Sequence, residues 1–533
     1  MFPQPQTDGY YDGFNERLYK QVPPTARRII EVGCGRGRLG YELKRQDPDR
    51  FVVGVELDPA AAEVARRRLD QVFEVDIQNE LPKVDDGSID CILFGDVLEH
   101  LVDPEAILVG LREVLSDTGI VLVSVPNVGH YSIIRELLRA DFMYQPQGLL
   151  DGTHLRFFTH ATMTRLLLDA GFLPSIEDVM VSPIKDHDIA AARPLLEHLG
   201  MNPARARKFL SAFQYVFKGI PDARARPASP AVPPMTFAAC VNDEQQLQSN
   251  LLRSPCLAPG SPHDLVLLRD CRSAAEGYNR ALVGARNDLV VFVQQDMYLP
   301  RGWDSRFSSG FLEAEERYAP LGVAGVFGIR YGHGEPEHVG RVVDRDKLLN
   351  MSAALPGEVD GLDEIGLAVR RSTSLRFDPE LGFHLYGTDI CLSARSAGMR
   401  SAVVEAPCFH NSLYGSLSPA FHRSRERLLA KWPGVRPLHT NMGRLDTMEA
   451  VAPALTWQDE QNAKLLEVKR ERDALGRELR QVRKRIKRIQ TSRLWKGRAA
   501  VGKLARAVGL GRLRGRRKKA AGKTDPSHHS EPW

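Results

Sequence analysis

At 533 residues the chain is too long for one ordinary core, and 43% apolar with 26% charged residues is the balance of a soluble globular protein of several domains. It has no run of 18 apolar residues, so no stretch is expected to cross a membrane as a helix. The net charge of +5 hides an asymmetry: Arg480 to Lys523 carries eighteen Lys and Arg and no Asp or Glu, which leaves −13 on the remainder. A tail of that kind suits an anionic surface.

The start, MFPQPQTDGYYDGF, lacks the basic-then-apolar order of a secretory signal. The seven cysteines are scattered and form no CxxC pair. Both features point to a cytoplasmic chain with reduced thiols.

From about residue 25 to 181, strand-like apolar runs alternate with helical patterns, the mark of an α/β domain. RRIIEVGCGRGRLGYELKR gives a strand, a turn and a helix, in which Gly33, Gly35 and Gly37 let the backbone take positive φ and pass close to a ligand. FVVGVELDP ends its strand in Glu56, QVFEVDI in Asp76 and SIDCILFGDVLEHL in Asp96. In an open α/β sheet that edge is where ligands sit.

The glycines alone would also suit a dinucleotide fold. Here the spacing is GxGxG, with Glu31 just before it, and LEHLVDP and SVPN follow. As a set these residues resemble class I S-adenosylmethionine-dependent methyltransferases, and the resemblance implies a Rossmann-like fold. It places Glu31, Gly33, Gly35 and Gly37 against the methionine part of S-adenosylmethionine, Glu56 on the ribose, and Asp76 and Ile77 at the adenine. Asp96 would line the methyl-transfer pocket. In DGTHLRFFTHATMTRLLLDAGF, His154 is a candidate general base and Arg156 a candidate anion contact. Both could instead hold the loop by hydrogen bonds. A Rossmann-like domain that binds no cofactor is the alternative for the whole region.

Residues 182–234 read as a helical segment (AARPLLEHLG, ARKFLSAFQYVF) followed by the Pro- and Ala-rich linker IPDARARPASPAVPP.

A second α/β pattern runs from 235 to 436. MTFAACVNDEQQLQSNLLRS, HDLVLLRD and AEGYNRALVGARNDLVVFVQQDMYLPRGW give strand–helix, strand, and helix–strand. The order resembles the nucleotide-sugar half of a GT-A, family 2-like glycosyltransferase. That resemblance implies roles for Asn279 and Asp270 in donor binding and for Asp296, at the end of VVFVQQD, in holding a divalent cation (Mg or Mn). Gln294 and Gln295 stand where a second acid is usual. VDGLDEIGLAVRR brings Asp363 and Glu364 to the acceptor side, FHLYGTD brings Asp389 as the general base, and CFHNS brings His410 as a second metal ligand.

From 457 to 496, Val468, Leu475, Val482 and Ile489 recur every seven residues, with Arg472 breaking the complementary seam. This predicts a short coiled-coil-like helix, a route to an oligomer, or a single solvated helix. Residues 497–533 form a basic tail suited to a membrane surface. Nucleic acid is not expected, since neither α/β region carries a motif for it.

The expectation is a bifunctional enzyme of surface-glycan biosynthesis, cytoplasmic or peripheral at the inner membrane face. It would use S-adenosylmethionine and a nucleotide-sugar donor, with a glycan or lipid-linked glycan as acceptor and a sugar hydroxyl as one candidate for the methyl. A methyltransferase with an inactive glycan-binding second domain and a non-catalytic scaffold are the alternatives.

Overall fold

The computed structural model describes residues 13–447 apart from 86, 199–200, 223–231, 332–334, 352–353, 413–418 and 436. The expected coiled-coil-like helix, the basic tail and the first twelve residues lie outside the described residues. Both α/β parts belong to one compact unit. Among the described residues no helix is long and apolar enough to cross a membrane.

The first part begins with α1 (Glu16–Gln21), β1 (Arg28–Val32), α2 (Arg38–Gln46), β2 (Phe51–Glu56), α3 (Pro59–Ala65), β3 (Gln71–Glu74) and β4 (Ile89–Gly95). It continues with α4 (Pro104–Arg112), β5 (Leu115–Pro126), α5 (Tyr131–Leu138), α6 (His160–Asp169), β6 (Phe172–Val181), α7 (Asp186–His198), α8 (Pro203–Ser211) and β7 (Ala212–Pro221). The helices start where the sequence supplies caps. Asp58 and Asp103 each accept a backbone N–H three residues on and precede a proline, and Thr159 and Thr162 form a capping box. Each such cap is worth about 1 kcal/mol.

The sheet order is β3-β2-β1-β4-β5-β7-β6, with β7 antiparallel to both its neighbours. Ile30, Phe94, Val123 and Phe217 lie in its core.

This corrects one expectation. ARKFLSAFQYVF is helical only to Ser211, and from Ala212 it is a strand inside the first sheet. The first domain therefore extends to about Pro221 rather than 181. Tyr215, Val216 and Phe217 are all buried in succession. A strand covered on both faces shows no period-2 alternation, so its apolar run reads equally well as helix.

The second part opens with β8 (Thr236–Val241), α9 (Glu244–Ser249), β9 (Asp264–Arg269), α10 (Ala274–Gly284), β10 (Leu289–Phe292), β11 (Met297–Tyr298), α11 (Trp303–Arg317), β12 (Leu321–Gly325) and β13 (Phe327–Arg330). Then come β14 (Glu337–Asp344), β15 (Lys347–Asn350), β16 (Gly357–Glu358), β17 (Gly361–Leu362), β18 (Leu367–Arg370), α12 (Tyr386–Ser396), β19 (Arg400–Val403), β20 (Phe409–His410) and α13 (Pro419–Lys431). One sheet is ordered β16-β19-β12-β18-β10-β8-β9, and a second β11-β20-β14-β13-β17 with β15 on β14. Register in the second sheet sets His410 opposite Met297 on one side and Asp344 on the other.

The two parts share an apolar cluster. Leu168 and Leu173 of the first pack with Tyr298, Val343 and Phe409 of the second. Polar contacts frame it: Arg165 donates to the Ser249 carbonyl (2.7 Å), and His160 Nε2 lies 2.9 Å from the Arg345 carbonyl.

Candidate active sites

The turn after β1 is built for close approach. Gly33, Gly35 and Gly37 have φ of 65°, 53° and 73°, and a Cβ on Gly33 would come within 2.5 Å of Val97 Cγ2. Any side chain there is excluded by both strain and space.

Glu56, at the end of β2, accepts from Gly35 N–H at 2.7 Å and from Leu57 and Asp58 N–H at 2.9 Å each. Three of the roughly four lone-pair directions of a carboxylate are thus used, and one on Oε2 is left for a ligand hydroxyl. Glu31 is buried and accepts from Gly40 N–H at 3.0 Å. Burial first, then the nearby Glu56, pushes its pKa up to about 8. Asp76 caps the turn beyond β3 through Gln78 N–H (3.0 Å) and Asn79 (2.9 Å), while Ile77 is buried in the core.

Asp96 follows β4 with φ 57°. Its Oδ1 accepts from the Ser124 hydroxyl (2.7 Å) and the Gln214 amide, and its Oδ2 from Asn15 (3.3 Å). Three strand ends and a helix cap thus fix one carboxylate. The sequence reading missed Ser124, Gln214 and Asn15. Gln214 was hidden because β7 read as helix.

His154 is half-buried, and its ring stacks edge-on against His100 at 4.9 Å between centroids. Burial lowers its pKa, so the imidazole is neutral. Arg156 donates to the Val102 carbonyl, and its backbone N–H donates to the Glu99 carbonyl. These bonds hold the loop.

In the second part, Asp296 and His410 are brought together, with Nε2 of the histidine 3.7 Å from the carboxylate. Asp344, which the sequence reading missed, lies 2.8 Å from His410 Nδ1. Gln294 donates its amide N–H to the Glu364 carbonyl, which turns its Oε1 toward His410 Nε2 at 3.1 Å. Both ring nitrogens therefore face acceptors. Burial alone would lower the His410 pKa, but Asp296 and Asp344 outweigh it and raise it. With Nδ1 held by Asp344, Nε2 is the atom left to ligate beside Asp296, so this pair would hold a divalent cation only on releasing the Nε2 proton. Among the described residues no third His, Cys, Asp or Glu completes a cluster with these two.

Two further expectations are corrected. Asn279 donates to the Phe377 carbonyl (2.8 Å) and accepts its N–H (3.0 Å), so the amide pins a loop instead of facing a donor. Asp389 has no exposed surface, and its two oxygens accept from Lys431 and Trp432 Nε1 at 2.8 Å each. It ties α12 to α13 and is closed to an acceptor hydroxyl.

Asp270, with φ 58°, sits just beyond β9 as expected. Asp363 is half-buried, accepts from Asn441 (2.6 Å), and is raised by burial. Beside it Glu364 is pushed up to about 8, by burial first and Asp363 second.

Comparison with known proteins matches both parts of the chain. A family model described as a methyltransferase domain matches residues 7–173, and one described as a glycosyltransferase-like family matches 236–432. The chain is 31% identical over 175 residues to a probable S-adenosylmethionine-dependent methyltransferase of Mycobacterium tuberculosis, covering 32% of this chain and 58% of that protein. It is 27% identical over 153 residues to a ubiquinone biosynthesis O-methyltransferase of Neisseria meningitidis, covering 27% and 63%. The chain thus spans about half to two thirds of the length of the curated relatives it matches. A crystal structure of a SAM-dependent methyltransferase from Archaeoglobus fulgidus aligns at 19% identity over 38% of this chain and 91% of that one, with a TM-score of 0.29. The chain joins a methyltransferase domain, similar to S-adenosylmethionine-dependent methyltransferases, to a glycosyltransferase-like domain.

Proposed function

We propose that the chain is a two-activity transferase of surface-glycan biosynthesis, methylating a hydroxyl, with a sugar as the favoured acceptor, and transferring a sugar from a nucleotide donor. The observation that carries the first activity is the convergence of the glycine turn, Glu31, Glu56 and Asp96 at one edge of β1, β2 and β4. S-adenosylmethionine, when bound, supplies a methyl on cationic sulfur that needs alignment more than activation. On the protein's side, Glu56 keeps a lone pair for a ribose hydroxyl. Buried Glu31 favours a cationic neighbour, and Asp96 holds one free oxygen direction toward an acceptor hydroxyl.

For sugar transfer, the acceptor base in this reading is Glu364 in place of the sealed Asp389. A carboxyl raised to about 8 acts as a general base only in its ionised fraction, so sugar transfer in this reading rises from pH 7 toward pH 8. The donor is a nucleotide-sugar and the acceptor a glycan or lipid-linked glycan. The basic tail would hold the enzyme at the inner membrane face.

A second reading has its own support. Asn279, Asp389 and His410 all use their bonding capacity inside the fold, which favours a second domain that binds glycan without turnover. Mass spectrometry of the full chain with S-adenosylmethionine and a nucleotide-sugar panel separates the two. Methyl transfer with no donor consumption supports the binding module, and no S-adenosylmethionine binding at all overturns both.

A further inference from the structure

Beside Asp96, Glu99, His100 and His154 meet, and two of them carry a buried polar atom without a hydrogen-bond partner. Glu99 is 1% exposed, and its Oε2 has no hydrogen-bond partner. His100 Nδ1 lies 3.2 Å from the Thr153 carbonyl and 3.1 Å from the Thr153 hydroxyl. That hydroxyl donates to Asp151 at 2.6 Å. Both Thr153 oxygens therefore accept from Nδ1–H, which leaves Nε2 of His100 unprotonated.

His154 repeats the arrangement in the opposite tautomer. The Leu149 carbonyl takes its ring N–H, and its Nδ1 is buried without a partner. One ligand atom from each of Glu99, His100 and His154 lies within 4.8 Å of the other two.

We infer that Glu99, His100 and His154 form a site for a divalent transition metal of the Zn²⁺ type. Two imidazoles and one carboxylate select such an ion over Mg²⁺ or Ca²⁺. Each imidazole donates its other N–H to a backbone carbonyl, the outer contact that fixes a ligating tautomer. Tetrahedral ligand atoms stand about 3.4 Å apart, so a small inward movement of the half-buried His154 completes the set. An ion here also accounts for a buried carboxylate oxygen and a buried imidazole nitrogen that otherwise lack partners.

Three protein ligands leave one position open, next to the Asp96 carboxylate. That position suits the oxygen of a hydroxyl acceptor, whose acidity the ion raises. This last step rests on the methyl-transfer reading, whereas the metal site itself does not.

The test uses untagged full-length protein, stripped of metal and titrated with Zn²⁺ by calorimetry and with Co²⁺ by visible absorption. One equivalent is expected, with Co²⁺ bands of a four- or five-coordinate ion. Glu99→Gln and His154→Ala each weaken binding by about tenfold or more. His187→Ala, at an exposed histidine, leaves it unchanged. Binding well below one equivalent, or binding that neither site variant weakens, overturns the inference. Should Glu99→Gln fail to fold, His154→Ala decides. S-adenosylmethionine affinity, measured on the same samples, is a separate outcome. Metal binding without it leaves the site standing and removes the methyl-transfer role, while the converse removes only the site.

Discussion

The Tyr298 hydroxyl donates to the carboxylate of Asp169, joining the end of α6 in the methyltransferase domain to β11 in the glycosyltransferase-like domain. Arg301 N–H donates to the same carboxylate at 2.9 Å. Tyr298 stands two residues after Asp296, so the bond anchors the strand that presents the second candidate site. Tyr298→Phe keeps the ring in its apolar cluster but leaves Asp169 short of a donor. The expected loss is about 1–3 kcal/mol, read as a lowered denaturation midpoint. Fluorescence and circular dichroism should still report one transition in the parent protein.

Glu31 gives a pH signature to cofactor binding. Its folded pKa is raised from 4.5 to about 8, so the free protein holds this proton at pH 7. A cationic sulfonium or ammonium beside it favours the carboxylate. Calorimetry in buffers of different ionisation heat should therefore show proton release on S-adenosylmethionine binding at pH 7. Affinity should rise toward pH 8 and then level. Glu31→Gln should abolish the release. The folded state holds the proton to higher pH than the unfolded chain, so ligand-free stability should fall as pH rises from about 4.5 through about 8.

His410 acts on stability with the same sign, in a higher pH window. Its folded pKa is raised above 6.5 by Asp296 and Asp344 against the effect of burial. Its contribution to stability is fully present below about pH 6.5 and is lost as pH rises through the folded value. His410→Gln should flatten that part of the stability profile. In a Mn²⁺ titration of the full chain, an affinity that drops in this variant assigns His410 a metal role, and an unchanged affinity removes it.

Asp389 and Glu364 should behave as a structural and a functional acid respectively. Asp389→Asn leaves Lys431 paired with Asp378 alone, at 3.2 Å. It should cost about 1–3 kcal/mol, the range for one buried hydrogen-bonded charge contact. Glu364→Gln removes a carboxyl that burial already keeps largely protonated at neutral pH. It should leave the unfolding midpoint near that of the parent while sugar transfer falls at least a hundredfold. Equal loss of donor consumption in both variants at unchanged stability would argue for Asp389 as the base.

The methyltransferase edge was legible because Glu56, Asp76 and Asp96 each close an apolar run, and local order suffices to read that. The supports of Asp96 were not. Gln214 comes from 118 residues away, on a strand whose two buried faces erase its period. The glycosyltransferase-like residues fell in the expected order, yet order says nothing of what each side chain touches. Asp389 reads as a base until Lys431 and Trp432, some forty residues on, close over it. Glu99 was passed over as part of LEHL, because a lone buried acid gives no sign in sequence that its oxygen lacks a donor.

Arg345 touches both halves of the molecule at once. Its carbonyl faces His160 of the methyltransferase domain, and its guanidinium pairs with Asp344, which steadies His410. The Pro- and Ala-rich stretch therefore looks like a place to cut the gene, but severing it would strip the cover from Tyr298, Val343 and Phe409. The glycosyltransferase-like half, expressed alone, would begin life with a sticky flank. Anyone dissecting the two activities should silence one site by substitution and keep the polypeptide whole.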